Sequence, residues 1–197
     1  MSIHKQKLFQ TKAIVFAFIL VITASFLHIF SHKAFAIDPP FELPSSNELN
    51  KLRSAILYTE HGEIHFRLFP QEAPWHVTNL KYRSDKGWYK NTSFHLLEPN
   101  FLIQGGKSFD KRNERYSLPA EFNSFRHELG SLAMGRVPDQ KNPERRSHAS
   151  QFYITLNYAP HLNQHYTIFG QVTQGVELVE YLKLHSKIFD LKVFVHP

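Results

Sequence analysis

Two glutamines stand inside otherwise apolar stretches of this chain: Gln104 near the end of FHLLEPNFLIQGG (94–106) and Gln151 near the start of SQFYITL (150–156). A buried carboxamide without partners costs roughly 1 to 3 kcal/mol, so each must either pair with backbone or hold something that binds. The segment around Gln104 reads as an apolar strand, a Glu98-Pro99-Asn100 turn and a second apolar strand, which is a β-hairpin signal closed by Gly105-Gly106. Glycines adopt backbone angles closed to other residues, so the chain can turn sharply there and leave the Gln104 amide and the Phe101 ring on an open surface. The sequence has no Cys, which excludes disulfides, thiolate chemistry and a Cys-type zinc site. Among its 13 His, His161 and His165 lie four apart. That spacing shares a face only on a helix, Asn163-Gln164 reads as a turn, and no third ligand is evident, so no metal is expected.

The elements that must position these residues are mostly short strands. Ala55 to Tyr58 and Glu63 to Phe69 alternate around His61-Gly62, predicting a hairpin with Ile64, Phe66 and Leu68 on one face. Pro70 ends that strand. Pro74 suits the first turn of a helix running to about Ser84, with Val77, Leu80 and Tyr82 as its apolar side and Asp85-Lys86-Gly87 as its stop. Further strands are predicted at Gly130 to Gly135, Ser150 to Leu156 and Ile188 to Val195, with charged or polar loops at Lys107 to Arg115 and Arg136 to Ser150. A second helix is predicted over Val176 to Lys183 from apolar residues spaced at three. Many short strands with two helical stretches, one near each end, favour a closed antiparallel barrel.

A chain of 197 residues with 42% hydrophobic and 14% aromatic residues can bury one core without staples. The formal charge of +6 is unevenly spread: the first 36 residues hold four of the 23 basic residues (Lys5, Lys7, Lys12, Lys33) and no acid, leaving 19 basic against 17 acidic beyond them. Such a balance is no footprint for a polyanion, which excludes nucleic acid as the partner. Within those 36 residues, three lysines precede an apolar run from Ala13 to Ile22, extended with small and apolar residues to Phe30, and Ala34-Phe35-Ala36 follows. This is the order of a secretory signal peptide, and cleavage is expected after Ala36. The alternative is a retained membrane anchor, since about 18 residues is close to the least that spans a bilayer. Either way the folded part, residues 52–197, is exported to the periplasm or beyond, and residues 37–51, with Pro39, Pro40 and Pro44, form an extended linker.

The hairpin resembles the signature of the cyclophilins, peptidyl-prolyl cis/trans isomerases in which Phe-His-Arg opens it and Phe-(Met/Leu)-x-Gln-Gly-Gly closes it. FPQEAPWHVTNL (69–80), the Gly87-Trp88-Tyr89 approach, YSLPAEF (116–122), SQFYITL and HLNQHYTIFG (161–170) are similar to further family segments in the same order, over about residues 53 to 195. The resemblance implies a mostly β fold, a closed eight-stranded antiparallel barrel with two capping helices, without cofactor and as a monomer. It implies a proline pocket lined by Phe101, Leu102, Tyr153 and Leu162, with Gln104, Gln151 and backbone at Gly135 and Arg136 facing the peptide. His95 matches the motif histidine, Tyr166 a position that is His or Tyr in the family, and His161 one that is often Trp. Tyr153 replaces the usual Phe, adding a hydroxyl that needs water or a partner.

One letter departs. Directly after His95 the family has its catalytic Arg, and this chain has Leu96. Removing one preorganised donor typically costs about 2.7 to 4 kcal/mol, a factor of 100 to 1000, so weak activity is expected unless Arg136, Arg145 or Arg146 reaches in from the long loop. The alternative is a catalytically silent module that binds proline peptides or acts like a chaperone. The partners in both cases are proline-containing segments of exported polypeptides, with a membrane involved only if the N-terminal segment is retained.

Overall fold

The computed structural model describes residues 38–107 and 116–197. The expected signal segment, 1–36, lies outside the described residues, as does most of the expected charged loop, 108–115. The first hairpin forms where alternation places it, with β1 at Ser54–Thr59 and β2 at Gly62–Leu68, paired from Ser54 opposite Arg67 to Thr59 opposite Gly62. Ile64, Phe66 and Leu68 are buried together, as a period of two requires.

Pro70 closes β2, and a helix spans Pro74–Asp85 with its proline in the first turn. Ala73 offers no capping side chain; the Glu121 carboxylate does so from a distant loop. It accepts the Trp75 and His76 backbone N–H groups at 3.0 and 3.1 Å and meets the buried His76 ring Nδ1 at 2.6 Å, placing negative charge at the positive end of the helix. The inner face is more polar than periodicity suggests. Val77 and Leu80 are joined there by His76, Asn79 and Arg83. The Asn79 amide donates to the Ala149 carbonyl (2.7 Å) and accepts from the Tyr116 hydroxyl (2.6 Å), and the Arg83 guanidinium lies over the Trp88 ring (3.9 Å) and the Tyr116 ring (4.8 Å).

The remaining strands are β3 (Thr92–Ser93), β4 (Leu96–Glu98), β5 (Leu102–Gln104), β6 (Ser117–Leu118), β7 (Ser131–Met134), β8 (Ser147–His148), β9 (Phe152–Thr155), β10 (Ile168–Gln174) and β11 (Lys187–Phe194). Of the eleven strands among the described residues, nine make one curled sheet in the order β3-β11-β1-β2-β10-β7-β9-β5-β4, and β6 pairs with β8 separately. The expected closed eight-stranded barrel is therefore corrected to an open half-barrel of nine strands. Its two edges, β3 and β4, are successive parts of one segment. Phe94 N–H still donates to Ser186 O on the β11 side, whereas His95 N–H donates to Gln104 O on the β5 side. One extended segment thus switches partners between adjacent residues, and no ladder joins β3 to β4.

The second capping helix is a single turn, Val176–Val179, not a helix to Lys183. Val176 stays 38% exposed, so the apolar spacing of three does not mark a continuous buried stripe. Residues 38–51, expected as extended linker, include a helical turn at Ser46–Leu49 with a Ser45/Glu48 capping box. Leu49 joins the core, and the Phe41 ring packs on Trp75, Tyr82 and Tyr116.

Candidate functional site

The register of the sheet assembles the site. Leu96 on β4 lies opposite Gln104 on β5, Gln104 opposite Tyr153 on β9, and Tyr153 opposite Ala133 on β7. Directly opposed residues of antiparallel strands project to the same face, so this row lines one side of the curled sheet. The alternate residues, Ile103, Phe152, Ile154, Leu132 and Met134, belong to the main core on the other side. A second apolar cluster on the site face contains Phe69, Leu102, Ala133, Tyr153, Leu162 and Ile168, with Phe101 and Tyr166 packed against it.

Above this cluster opens a cavity of about 520 Å³. Leu96, Phe101, Leu102, Gln104, Gly135, Arg136, Gln151, Tyr153, Leu162 and Tyr166 all line it. His95 and His161 stand beside it: the His95 Nε2 is 3.3 Å from the Gln104 Nε2, and the His161 ring stacks on Phe101 at 5.2 Å. His161 sits in a single 3₁₀ turn, Pro160–Leu162, and among the described residues no group of three or more His, Asp or Glu is placed to hold a metal ion.

Gly105 and Gly106 set the Gln104 end of the hairpin by two different means. A Cβ on Gly105 would press on Ile188, Phe152 and Phe94, so the chain hugs the core there. Gly106 has φ +82° and its missing Cβ would lie 2.0 Å from the Ser150 carbonyl oxygen. Gly106→Ala is expected to destabilise the fold by more than the roughly 1 to 3 kcal/mol of a left-handed non-glycine residue alone, because the Ser150 backbone must also retreat. Urea unfolding of the two proteins measures this; equal midpoints with equal slopes would contradict it.

The Tyr153 hydroxyl finds a buried partner. It lies 3.0 Å from His127 Nε2, whose ring Nδ1 is 3.0 Å from Asn163 Oδ1. Since the amide oxygen accepts, His127 carries its proton on Nδ1 and receives the tyrosine O–H at Nε2. Burial holds His127 below the ordinary imidazole range and pushes the Tyr153 phenol far up. No local signal marks these three residues, because Asn163 is 36 residues from His127 and Tyr153 is 26. His148, Glu98 and Val137 also line the cavity and were not anticipated.

Leu96 is 38% exposed and turns its side chain to the cavity. The loop arginines that could substitute for a cation at that place are engaged elsewhere. Arg136 binds the His165 carbonyl (2.8 Å) and Asp139 (2.6 Å) and lies 4.7 Å over Tyr166, so its guanidinium is held as part of the cavity wall. Arg145 is held by Asp139, and Arg146 by the Ser117 hydroxyl and carbonyl. Burial, then the Lys107 charge, keeps the His95 imidazole below its usual range.

Known proteins share this fold. The profile "Cyclophilin type peptidyl-prolyl cis-trans isomerase/CLD" matches residues 55–190. A peptidyl-prolyl cis-trans isomerase of Synechococcus elongatus is 32% identical over 146 residues, covering 72% of this chain and 97% of its own. The mouse peptidylprolyl isomerase domain and WD repeat-containing protein 1 is 34% identical over 128 residues, 64% of this chain, but this chain spans only 20% of that protein. A crystal structure of a Cryptosporidium parvum cyclophilin superposes with TM-score 0.61 at 27% identity, covering 74% of this chain and 99% of that one, and it has also been solved in the presence of the dipeptide Ala-Pro. The matched span holds every strand that builds the cavity, and the curled sheet, the Phe-x-x-Gln-Gly-Gly hairpin and the relatives agree: this chain belongs to the cyclophilin-type peptidyl-prolyl cis-trans isomerase family.

Proposed function

We propose that the chain isomerises X-Pro bonds of exported polypeptides, with turnover reduced because Leu96 stands where the family's resemblance places an arginine. An X-Pro bond turns over a barrier of about 18 to 20 kcal/mol because the amide is conjugated, and unaided it takes tens of seconds. Speeding it requires no nucleophile or cofactor, only an apolar seat for the proline ring and donors that favour the twisted amide. The observation that carries the reading is the row Leu96, Gln104, Tyr153 across β4, β5 and β9 beneath a cavity of about 520 Å³. Phe101, Leu102, Tyr153 and Leu162 would seat the ring, and Gln104 and Gln151 would bind the peptide backbone. The Ala-Pro dipeptide used with the Cryptosporidium parvum relative is a ligand of the same chemistry. Export rests on the order of charge, apolar run and Ala-x-Ala in residues 1–36. Sequencing the N-terminus of the protein purified from its native host tests that part; a chain starting at Met1 defeats cleavage.

The second reading is a peptide-binding module of the same fold without turnover, favoured by Leu96 together with the engagement of Arg136, Arg145 and Arg146 by other partners. Exchange NMR on an X-Pro peptide separates the two. Cross-peaks between cis and trans forms at catalytic protein concentration are expected for the isomerase, and binding shifts without exchange would establish the module.

A further inference from the structure

His148 sits at the rim of the cavity, on β8. Its ring is tied down on one side: the backbone N–H groups of Ser150 and Gln151 reach Nδ1 at 3.1 and 3.2 Å. A backbone N–H can only donate, so Nδ1 is the bare nitrogen and the ring proton belongs on Nε2. Burial of the ring, then the Arg83 charge and the neighbouring His95, lowers the imidazole pKa to about 4; solvent reaches the residue and softens the drop, but the direction favours the neutral ring.

The Nε2–H then meets the Gln151 carboxamide, one end of which is 3.2 Å away. The oxygen and nitrogen of a carboxamide have nearly the same size, so its partners decide which end points where. With Gln151 Nε2 toward His148, two donors would face each other. With Oε1 there, the contact is a hydrogen bond. The other end of Gln151, 2.9 Å from Gln104, is then the NH₂ group and must find the Gln104 oxygen. That same Gln104 atom is 3.3 Å from His95 Nε2, so one oxygen accepts from both Gln151 and His95. His95 Nδ1, buried without a partner, is thereby left as a bare lone pair and not as a stranded N–H. The remaining end of the Gln104 amide lies beside Gly135, in the cavity wall.

We propose that His148 is a positioning residue whose Nε2–H fixes the Gln151 carboxamide and, through it, that of Gln104, so that Gln104 turns its NH₂ group into the cavity. The site thus presents a neutral, oriented donor to a peptide carbonyl beside the place where Leu96 supplies none. The identity of that carbonyl rests on the reading of the cavity as an X-Pro groove; the proton positions do not.

Two measurements on the full chain decide it. Long-range ¹H–¹⁵N spectra at neutral pH are expected to show both His148 and His95 as Nε2–H tautomers. His148→Asn leaves an amide oxygen able to accept the Ser150 and Gln151 N–H groups but no donor that reaches Gln151. Its thermal midpoint should stay within about 2 °C of wild type, while affinity for an Ala-Pro tetrapeptide falls about ten-fold and the Gln104 side-chain NH₂ resonances lose their peptide-induced shift. Nδ1–H at His148, or an Asn variant that binds like wild type, overturns the relay. A wild type that binds no peptide yet carries both histidines as Nε2–H removes the X-Pro reading and leaves the relay standing.

Discussion

Leu96→Arg raises kcat/KM on an X-Pro peptide by about 10- to 1000-fold, with little change in peptide affinity. The expectation follows from the register: position 96 lies directly opposite Gln104, so a guanidinium there shares the cavity with the amide that faces the substrate. Leu96 is already 38% exposed, so the longer side chain needs no core to be opened and its charge stays hydrated at rest. A cation at that place interacts more strongly with the twisted amide, where the proline nitrogen regains its lone pair, than with the planar one. The lower bound has a specific cause. Glu98 lies two residues on, on the same face of β4 and also at the cavity, and can draw the new guanidinium away from the substrate. An exposed pair of this kind is worth no more than about 1 kcal/mol, which reduces the gain without cancelling it. Exchange NMR with wild type and variant on one peptide reads both quantities. A wild type as fast as an arginine-containing cyclophilin would show that another residue replaces the donor, Arg136 first; two equally slow proteins would leave a binding groove alone.

The parts of the fold that were legible are those written in neighbouring residues. Alternation places β1 and β2 and buries Ile64, Phe66 and Leu68, and the glycine pair after Gln104 marks the end of the signature hairpin because Gly106 needs a backbone that alanine resists. The openness of the sheet was not legible. It depends on where one extended segment, Thr92 to Glu98, exchanges β11 for β5: the hairpin with β5 is local, but β11 is remote in sequence. The short second helix has a similar origin: Tyr181 and Leu182 close 3₁₀-like turns onto Leu178 and Val179, tightening the chain where spacing predicted further α-helical turns. In the site, the apolar residues and both glutamines could be found from their matches to the family segments, and the cavity collects them. What orders them could not. His127 and His148 are ordinary polar residues until Tyr153 and Gln151 are brought to them, and Glu121 caps a helix whose His76 lies 45 positions before it.

Phe101→Ala separates the groove from the core. Phe101 ends the tight turn, donating its backbone N–H to the Glu98 carbonyl at 3.0 Å, and this bond survives truncation because it uses no side-chain atom. The ring itself is only partly buried: one face stacks on exposed His161 and the rest borders Leu102, Tyr153 and Leu162 at the cavity. Truncation therefore removes a wall of the proline seat and little interior packing. The loss of stability should fall below the roughly 3 to 5 kcal/mol typical of a buried phenylalanine, whereas an aromatic anchor at the centre of a binding site commonly carries about 2 to 4 kcal/mol. Peptide affinity should accordingly fall by about 30-fold or more, enough to remove binding at the concentrations used in an NMR titration. Urea unfolding and that titration, run on the same two proteins, give the two numbers independently. A variant that loses as much stability as a core phenylalanine would move Phe101 into the scaffold, and a wild type whose Gln104 and Tyr153 resonances ignore the proline peptide would sink the groove itself.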